Sequence, residues 1–324
     1  MNGVVRTLVT ITGEMRAMGK TVEVIGPDRF NTLPMPSYPE IRLAFLPGRK
    51  LARLIDEFRP DALHIATEGP LGMAARGYAR RRGIIFTTAF HTRFAEYLQA
   101  RTRIPLWLSY AWLRRFHGPG AALMVATRSL SDELSARGFK NVCAWSRGVD
   151  LQLFHPEPRE EWDLPRPIFA YVGRVAVEKN LRAFLDLQLP GSKLVVGDGP
   201  QRRTLEREYP AVHFAGARHG TALAAAYAGA DVFVFPSRTD TFGLVVLEAL
   251  ASGLPVAAYP VTGPKDILGE SQQPVGALHE DLRVAALAAL EIDRAACRSY
   301  AELFSWSACA QKFMDNLVPT HRFA

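Results

Sequence analysis

The sequence is poor in cysteine and has no long hydrophobic run. Its three cysteines, Cys143, Cys297 and Cys309, are scattered and odd in number, which predicts neither a disulfide framework nor a zinc site. This usage is typical of a protein in a reducing cytosol. Charges, glycines or prolines interrupt every stretch of about 18 apolar residues, so no membrane-spanning helix is expected. The start, MNGVVRTLVT, lacks the charged-then-apolar order of a secretion signal.

The composition fits two ordinary domains. Of 324 residues, 48% are hydrophobic and 22% are charged, which suffices for two cores and argues against disorder over most of the length. The net charge is +7, and the excess of lysine and arginine lies in residues 1–160. A basic half predicts an anionic partner, such as nucleic acid, a phospholipid surface or a phosphorylated acceptor. A simple solubility bias is the alternative.

Motifs of several other protein classes are missing. No Gly-x-Gly-x-x-Gly motif follows a predicted strand, which argues against an NAD-dependent oxidoreductase. No Gly-x-x-x-x-Gly-Lys-Ser/Thr motif marks a P-loop enzyme. No helix-turn-helix, RNA-binding or zinc pattern occurs, so nucleic acid is not an expected partner.

Short apolar runs alternate with helical stretches along the whole chain, which predicts an α/β protein with parallel sheets wrapped by helices. The predicted strands are residues 21–26, 41–45, 62–66, 84–88, 122–126, 141–145, 168–172, 193–196, 213–215, 232–235 and 256–259. A proline- and charge-rich segment near residues 151–166 predicts a linker between two Rossmann-like domains that face a cleft, residues 1–150 and 167–303. No strand precedes Asn2 and Gly3, so the first domain is expected to lack its first strand.

The most informative stretch runs from Arg238 to Ala258 and predicts a loop, a helix and a buried strand. Thr239 or Thr241 is expected to cap the helix. A helix that opens on Phe242, Gly243 and Leu244 directs free N–H groups and a positive dipole end at a phosphate. Asp240 is expected at the mouth of this site, and Glu248, about two turns along, within reach of a ribose. The pattern favours a nucleotide-sugar ligand.

A basic pair follows an earlier strand. Gly173 ends that strand, and Arg174 and Lys179 come after it, where two cations can neutralise a diphosphate. A basic pair on a solvated turn is the alternative. Two glycines, Gly197 and Gly199, follow the next strand, and we expect them to form the turn and to let the backbone approach a ligand.

Two polar residues follow strands in the first half. His91 comes directly after the strand at 84–88 and is expected at the rim of the cleft, although a histidine held by local loop contacts is equally compatible. Glu68 occupies a similar position one unit earlier. It is expected either to bind an acceptor or to cap the helix that follows Pro70.

Residues 101–117 form a basic, aromatic stretch that could lie in an anionic membrane interface. A core-packed helix with arginines at its ends is the alternative. The side chains that would contact the membrane are Arg101, Arg103, Trp107, Trp112, Arg114 and Arg115.

Together the motifs around Arg238, Arg174, Gly197 and His91 resemble the group 1 family of retaining glycosyltransferases with the two-Rossmann GT-B fold. The likeness covers nearly the whole chain, including WSRGVDLQLFHP and the ending FSWSACAQKFMDNL. It is nearest to the sulfoquinovosyl- and mannosyltransferase-like branch that glycosylates lipids. An Asp-Thr-Phe-Gly run at Asp240, where the family usually has Glu, is similar to that branch.

The resemblance implies roles for individual residues. Arg174 and Lys179 would hold the donor diphosphate, and Glu248 would bind the nucleotide ribose. Asp240 and the backbone from Thr241 to Val245 would hold the sugar and phosphates. The remaining implied contacts are those of His91 with the sugar, Asn2 and Gly3 with phosphate, and Ala217 and Arg218 with the base. The closing helix, residues 304–324, would cross back onto the first domain.

The implied reaction moves a hexose from UDP or GDP to a hydroxyl, with retention of configuration. The acceptor would be a membrane lipid such as diacylglycerol, and the enzyme would be peripheral to the cytoplasmic face of the membrane. No Asp-x-Asp pair is present, so no metal or other cofactor is expected; the nucleotide-sugar is a co-substrate. Two alternatives are an inactive nucleotide-sugar-binding protein with a shortened first domain, and a nucleotide-sugar epimerase on the same fold.

Overall fold

The computed structural model describes residues 3–35, 38–91, 95, 99, 104–238 and 242–320. The chain divides into two compact units. The first contains Met1–Ser146 together with Ala310–Ala324, and the second contains Arg147–Cys309.

The first unit contains a small hairpin and a parallel sheet. β1 (Thr32–Met35) and β2 (Tyr38–Ala44) pair antiparallel with each other. The other strands are β3 (His64–Ile65), β4 (Thr87–Phe90), β5 (Ala122–Val125) and β6 (Val142–Ala144). They form a four-stranded parallel sheet in the order β3-β4-β5-β6. All four residues of β4 are buried, as expected for a strand covered by helices on both faces.

Five described helices belong to this unit: Gly3–Ala17, Gly48–Phe58, Pro70–Arg82, Leu106–His117 and Arg128–Ala136. Local sequence explains several of their ends. Pro70 at the first position suits a helix start because its missing N–H has no partner there anyway. Gly83 ends the same helix in the left-handed region, with φ of 68°.

The second unit is built on a six-stranded sheet in which every pair is parallel. Its strands are β7 (Ile168–Val172), β8 (Ser192–Val196), β9 (His213–Gly216), β10 (Val232–Phe235), β11 (Val256–Ala258) and β12 (Gly276–Leu278). Their spatial order is β12-β11-β10-β7-β8-β9. The chain therefore starts in the middle at β7, moves outwards through β8 and β9, and then returns to β10 on the other side. Such a reversal creates a crevice at the carboxyl ends of β7 and β10.

The helices of the second unit are Leu181–Leu185, Arg202–Glu208, Gly220–Ala228, Leu244–Ala251, Thr262–Leu268, Leu282–Ala289 and Arg294–Ala301. The core between sheet and helices includes Phe169, Phe184, Val195 and Leu205, all fully or almost fully buried. A last helix, Trp306–Asp315, begins in the second unit and ends in the first.

The residues after this helix belong to the first unit and pair with its earlier segments. Pro319 forms an isolated antiparallel bridge with Ala62, and the N–H of Thr320 donates to the carbonyl of Asp61 at 2.8 Å. The Asn316 side chain donates to the carbonyl of Ala144 at 2.9 Å. The last described residues are thus fixed beside β3 and β6.

Two parts of the strand prediction are wrong. Residues 21–26 form no strand; Val24 is half exposed there, and no described strand lies alongside to complete the hydrogen bonds. The hairpin strand β1 and the edge strand β12 were not predicted. Pro34 lies within β1, and β12 has only three residues, so neither has the long β-rich pattern that marks a strand. The other predicted strands are found within a few residues of their expected bounds, and the parallel sheets are confirmed.

Candidate functional site

The loops after β7 and β10 meet at the point where the strand order of the second unit reverses. The amide Nδ2 of Asn180, in the loop after β7, donates to the carbonyl of Pro236, directly after β10, at 3.1 Å. Asn180 has the left-handed conformation, with φ of 55°, which asparagine tolerates better than most residues. This bond ties the loop of Arg174 and Lys179 to the loop that precedes Phe242.

Arg174 and Lys179 both lie at this crevice. Arg174 is exposed, and its carbonyl accepts a hydrogen bond from the hydroxyl of Tyr171 at 2.8 Å. Within the described ranges, no side chain or carbonyl pairs with the Arg174 guanidinium. Lys179 ends the short 3-10 helix Val177–Lys179 and is half-buried. An exposed guanidinium without a protein partner at a ligand crevice is a suitable anion contact.

Glycines hold the base of this loop. A Cβ on Gly197 would lie 1.8 Å from the carbonyl oxygen of Gly173, and one on Gly199 would lie 2.3 Å from that of Val175. The two loops also share a hydrogen bond from the N–H of Val175 to the carbonyl of Asp198 at 2.9 Å. The glycines after β8 therefore allow close approach to the neighbouring loop of this protein, and the expected approach to a ligand stays a prediction.

The predicted phosphate-binding helix begins later than expected. It spans Leu244–Ala251, and its N-cap is Gly243 in the left-handed region, with φ of 85° and no side-chain cap. The N-cap position thus falls on a glycine, and the expected cap by Thr239 or Thr241 stays a prediction. Thr239, Asp240 and Thr241 themselves lie outside the described residues.

The described residues at the first turn of this helix differ in exposure. Phe242 is buried, and its carbonyl oxygen packs closely on Gly263. A Cβ on Gly263 would lie 2.5 Å from this oxygen. Leu244 and Val245 are partly exposed. Because the N-cap Gly243 has no side chain to cap this end, the first N–H groups are suited to bind an anion.

Glu248 lies on the buried side of the same helix. It is 5% exposed, and its Oε2 accepts a hydrogen bond from the hydroxyl of Tyr227 at 3.1 Å. Tyr227 belongs to the neighbouring helix Gly220–Ala228 and is fully buried. A carboxylate held by a buried phenol has a fixed orientation. Its role towards a ribose stays a prediction.

The predicted base-binding residues follow β9. Ala217 is exposed. The guanidinium of Arg218 lies 3.3 Å from Oε1 of Glu160 and 5.8 Å from the ring centre of Trp162. The Arg218 side chain is thus engaged by the segment before β7, and its proposed contact with a base stays a prediction.

In the first unit, Glu68 and His91 follow neighbouring parallel strands, β3 and β4, and so belong to the same edge of the sheet. The His91 ring packs edge-on against Trp145, with 5.6 Å between ring centres. Glu68 does not cap the helix Pro70–Arg82, whose N-cap is Gly69 without a side-chain bond. Instead its Oε1 lies 3.2 Å from Nε2 of the buried His117. The capping alternative is therefore wrong.

The other predicted contacts of the first unit are partly described. Gly3 opens the helix Gly3–Ala17, and Asn2 lies outside the described residues. The helix Leu106–His117 buries Tyr110, Leu113 and Phe116 on one face, whereas Trp107 is 70% and Trp112 is 38% exposed. Arg114 and Arg115 are exposed as well. One face of this helix is therefore packed in the core, and the membrane contact of the exposed face stays a prediction. Arg101 and Arg103 lie outside the described residues.

Three residues of this arrangement were missed from the sequence: Asn180, Tyr227 and His117. Each forms a hydrogen bond with a residue more than 20 positions away in the sequence, and no local sequence pattern predicts such a contact. A polar residue in an otherwise apolar helix, as at Tyr227 in GTALAAAYA, is the one available signal.

Comparisons with known proteins agree with this geometry. A family model described as group 1 glycosyl transferases matches residues 166–292, and a model for glycosyltransferase family 4 matches residues 1–153. The chain is 33% identical to a GDP-mannose-dependent alpha-mannosyltransferase of Mycobacterium tuberculosis, over 83% of this chain and 78% of that protein. It is 28% identical to the GDP-mannose-dependent alpha-(1-6)-phosphatidylinositol dimannoside mannosyltransferase of the same organism, over 85% and 77%.

Among solved structures, sucrose-phosphate synthase from Thermosynechococcus elongatus matches with a TM-score of 0.65 at 21% identity, over 97% of this chain and 92% of that one. The parallel sheets and this likeness define the class, a two-domain, Rossmann-like protein with the GT-B fold. The chain belongs to the group 1 glycosyltransferase family and is an enzyme that transfers sugar. The predicted family, fold and type of activity are therefore confirmed.

Proposed function

We propose that this enzyme is a retaining glycosyltransferase that moves a hexose from a UDP- or GDP-linked sugar to a hydroxyl group of a membrane lipid. The carrying observation is the exposed Arg174 at the strand-order reversal, which no described side chain neutralises, together with Lys179 and a helix start whose N-cap is Gly243. The names of the two mannosyltransferase relatives favour GDP-mannose as the first donor to test. The phosphatidylinositol acceptor in one of these names supports a lipid.

The main catalytic effect is stabilisation of the departing nucleotide diphosphate. Negative charge develops on the phosphate oxygen as its bond to the sugar C1 breaks, and preorganised positive groups lower that barrier. Arg174, Lys179 and the N–H groups at Gly243 to Val245 supply these groups in the proposal. The acceptor hydroxyl then bonds to C1 on the same face and gives its proton to the departing phosphate oxygen, which retains the configuration.

The other residues receive roles around this centre. Glu248 binds the ribose, the backbone at Ala217 and Arg218 lies against the base, and Asp240 and His91 contact the sugar. On the acceptor side, Glu68 accepts a hydrogen bond from the lipid hydroxyl. We propose that no metal takes part, since the Arg174 and Lys179 cations already provide the charge.

We also propose that the helix Leu106–His117 rests on an anionic membrane at the cytoplasmic face. Exposed tryptophans beside arginines suit the interface of an anionic bilayer, where the rings enter the headgroup region and the guanidinium groups meet phosphate. The rings are Trp107 and Trp112, and the cations are Arg114 and Arg115. No described helix is long and apolar enough to cross a bilayer.

A transfer assay tests the proposal. Purified protein is incubated in EDTA with labelled GDP-mannose, UDP-glucose or UDP-glucuronate and with vesicles that contain diacylglycerol or phosphatidylinositol. We expect one donor to yield a labelled glycolipid whose anomeric configuration, measured by NMR, equals that of the donor. Failure with every donor contradicts the proposal. Conversion of a nucleotide-sugar without acceptor favours an epimerase, and binding without turnover favours an inactive binding protein.

A further inference from the structure

His117, the last residue of the helix Leu106–His117, is a buried histidine with two polar partners. It is 3% exposed, and the Phe116 ring packs edge-on against it at 4.9 Å. Its Nδ1 lies 3.0 Å from the hydroxyl of Thr88, and its Nε2 lies 3.2 Å from Oε1 of Glu68. The imidazole therefore bridges strand β4 and the loop that follows β3.

The identity of these partners fixes the direction of the hydrogen bonds. A carboxylate only accepts, so Nε2 of His117 carries a hydrogen and donates it to Glu68. Thr88 is fully buried within β4, so the hydrogen bond of Nδ1 fixes the ring to a rigid strand. The Nε2–H group that faces Glu68 therefore has a fixed orientation.

Glu68 depends on this donor for its orientation. Its side chain is 21% exposed, and it lies at the same sheet edge as His91. Within the described part of the chain, His117 is the one side chain that hydrogen-bonds to Glu68. Without it the carboxylate would be free to rotate at the end of its loop.

We propose that His117 is a positioning residue that holds Glu68 towards the acceptor hydroxyl. The inference rests on the proposed function, in which Glu68 binds the lipid hydroxyl. The helix Leu106–His117 then has two roles, because its exposed face carries Trp107 and Trp112 and its last residue orients the acceptor-side carboxylate. Contact of this helix with a bilayer places Glu68 at a set distance from the lipid headgroups.

Two substitutions separate the two ring nitrogens of His117. A glutamine amide reaches about as far as Nε2 and can still donate to Glu68, whereas an asparagine amide reaches only the Nδ1 position, near Thr88. With a monomeric short-chain lipid acceptor, we expect His117→Asn to raise the acceptor KM about tenfold, as for a lost hydrogen bond to a charged group. His117→Gln should stay within about twofold of the wild type, and the donor KM should not change in either variant.

Ser109→Ala is the matched control, because Ser109 is buried in the same helix and its hydroxyl hydrogen-bonds to no described residue. It should leave the acceptor KM unchanged. The probe is dihexanoylglycerol, or the short-chain form of whichever lipid the wild type glycosylates. Circular dichroism and melting temperature confirm that each variant is folded.

A second arm tests the coupling to the membrane. Trp107→Ala/Trp112→Ala should slow transfer to acceptor in anionic vesicles and leave the KM for the short-chain acceptor unchanged. His117→Asn should raise the acceptor KM in both formats. An unchanged acceptor KM in folded His117→Asn, or equal loss in the Asn and Gln variants, overturns the inference while the proposed function stands. Absence of transfer by the wild type overturns the proposed function itself.

Discussion

The hydroxyl of Tyr227 donates a hydrogen bond to the carboxylate of Glu248 across two adjacent helices of the second unit, at 3.1 Å. Tyr227 is fully buried, and its ring lies 5.8 Å from those of both Phe154 and Phe233. The phenol is therefore fixed by packing, and it fixes the Glu248 carboxylate in turn. In the proposed enzyme this carboxylate binds the ribose of the donor.

Tyr227→Phe removes the hydroxyl and keeps the ring, so the fold should be retained. A typical hydrogen bond contributes about 1 kcal/mol, so we expect GDP or UDP to bind roughly fivefold more weakly. One of the two deoxy forms, 2′ or 3′, lacks the hydroxyl that Glu248 binds, and the substitution should not weaken the binding of that form. Isothermal titration calorimetry measures the affinity of the wild type and the variant for each nucleotide.

The control for this prediction is Tyr300→Phe. The Tyr300 hydroxyl donates to the carbonyl of Ile267 at 2.6 Å, in the same unit, and has no role in the proposed site. Its loss should leave nucleotide affinity unchanged. If Tyr227→Phe weakens ribose and both deoxy nucleotides equally, Glu248 does not act on the ribose.

Arg174→Ala removes the cation that no described residue neutralises. Because this charge acts on the departing diphosphate, we expect kcat/KM to fall by about 10²- to 10³-fold. Nucleoside diphosphate should bind more weakly, whereas the nucleoside alone should bind as before. Arg174→Lys should recover part of the activity, since it restores the charge without the fork of donors.

Arg182→Ala is the matched control for Arg174. Arg182 is also in the second unit, but its guanidinium pairs with Glu208 at 2.5 Å. It should keep full activity in the same assay. Full activity of Arg174→Ala would remove the diphosphate assignment.

Much of the second unit could be predicted because its central strands are buried on both faces. Residues 168–172 and 232–235 are continuous apolar runs, and all residues of both strands are buried. Once these strands are placed, the positions of Arg174 and Phe242 at one sheet edge follow. The contacts of Asn180, Tyr227 and His117 join distant segments, and no periodicity records them.

The wrong prediction at residues 21–26 has a related cause. TVEVIG alternates like a half-buried strand, but alternation reports only which side of a strand could be buried. It carries no information on whether a neighbouring strand is available to accept its hydrogen bonds. Pairing is a property of the sheet, and local sequence does not encode it.

Gly197→Ala tests how the Arg174 loop is supported. The new Cβ would lie 1.8 Å from the carbonyl oxygen of Gly173, and Gly197 has φ of 153°, so the loops must move apart. We expect a clear loss of thermal stability without ligand. We also expect GDP to raise the melting temperature of the variant less than that of the wild type, because the displaced loop binds nucleotide more weakly. Differential scanning fluorimetry with and without GDP measures both. Gly13→Ala, with open space around its Cβ, should show neither effect.

Arg114→Ala/Arg115→Ala tests the membrane surface. Each arginine near an anionic bilayer contributes about 1 kcal/mol, so vesicle binding should weaken roughly tenfold or more, and the difference should shrink at high salt. Cosedimentation with phosphatidylglycerol vesicles measures it. Arg128→Ala/Lys140→Ala removes the same charge from other exposed positions of the first unit. If both variants lose vesicle binding equally, the protein is attracted to the bilayer by its net charge and not by this helix.

The buried His64 should make the first unit less stable at acidic pH. Its Nε2 is enclosed, its Nδ1 lies 2.9 Å from the Thr87 hydroxyl, and burial, with repulsion from His117, lowers its pKa to about 3. The unfolded chain takes up this proton below its ordinary pKa of about 6.5, so the stability is complete above that pH and is lost as the pH falls towards 3. From pH 7 to 5 the free energy of unfolding falls by about 2 kcal/mol.

His64→Asn keeps a partner for Thr87 but does not titrate. Urea unfolding should therefore show the stability of the variant approaching that of the wild type at pH 5. A difference in stability that stays constant with pH would contradict the buried neutral imidazole.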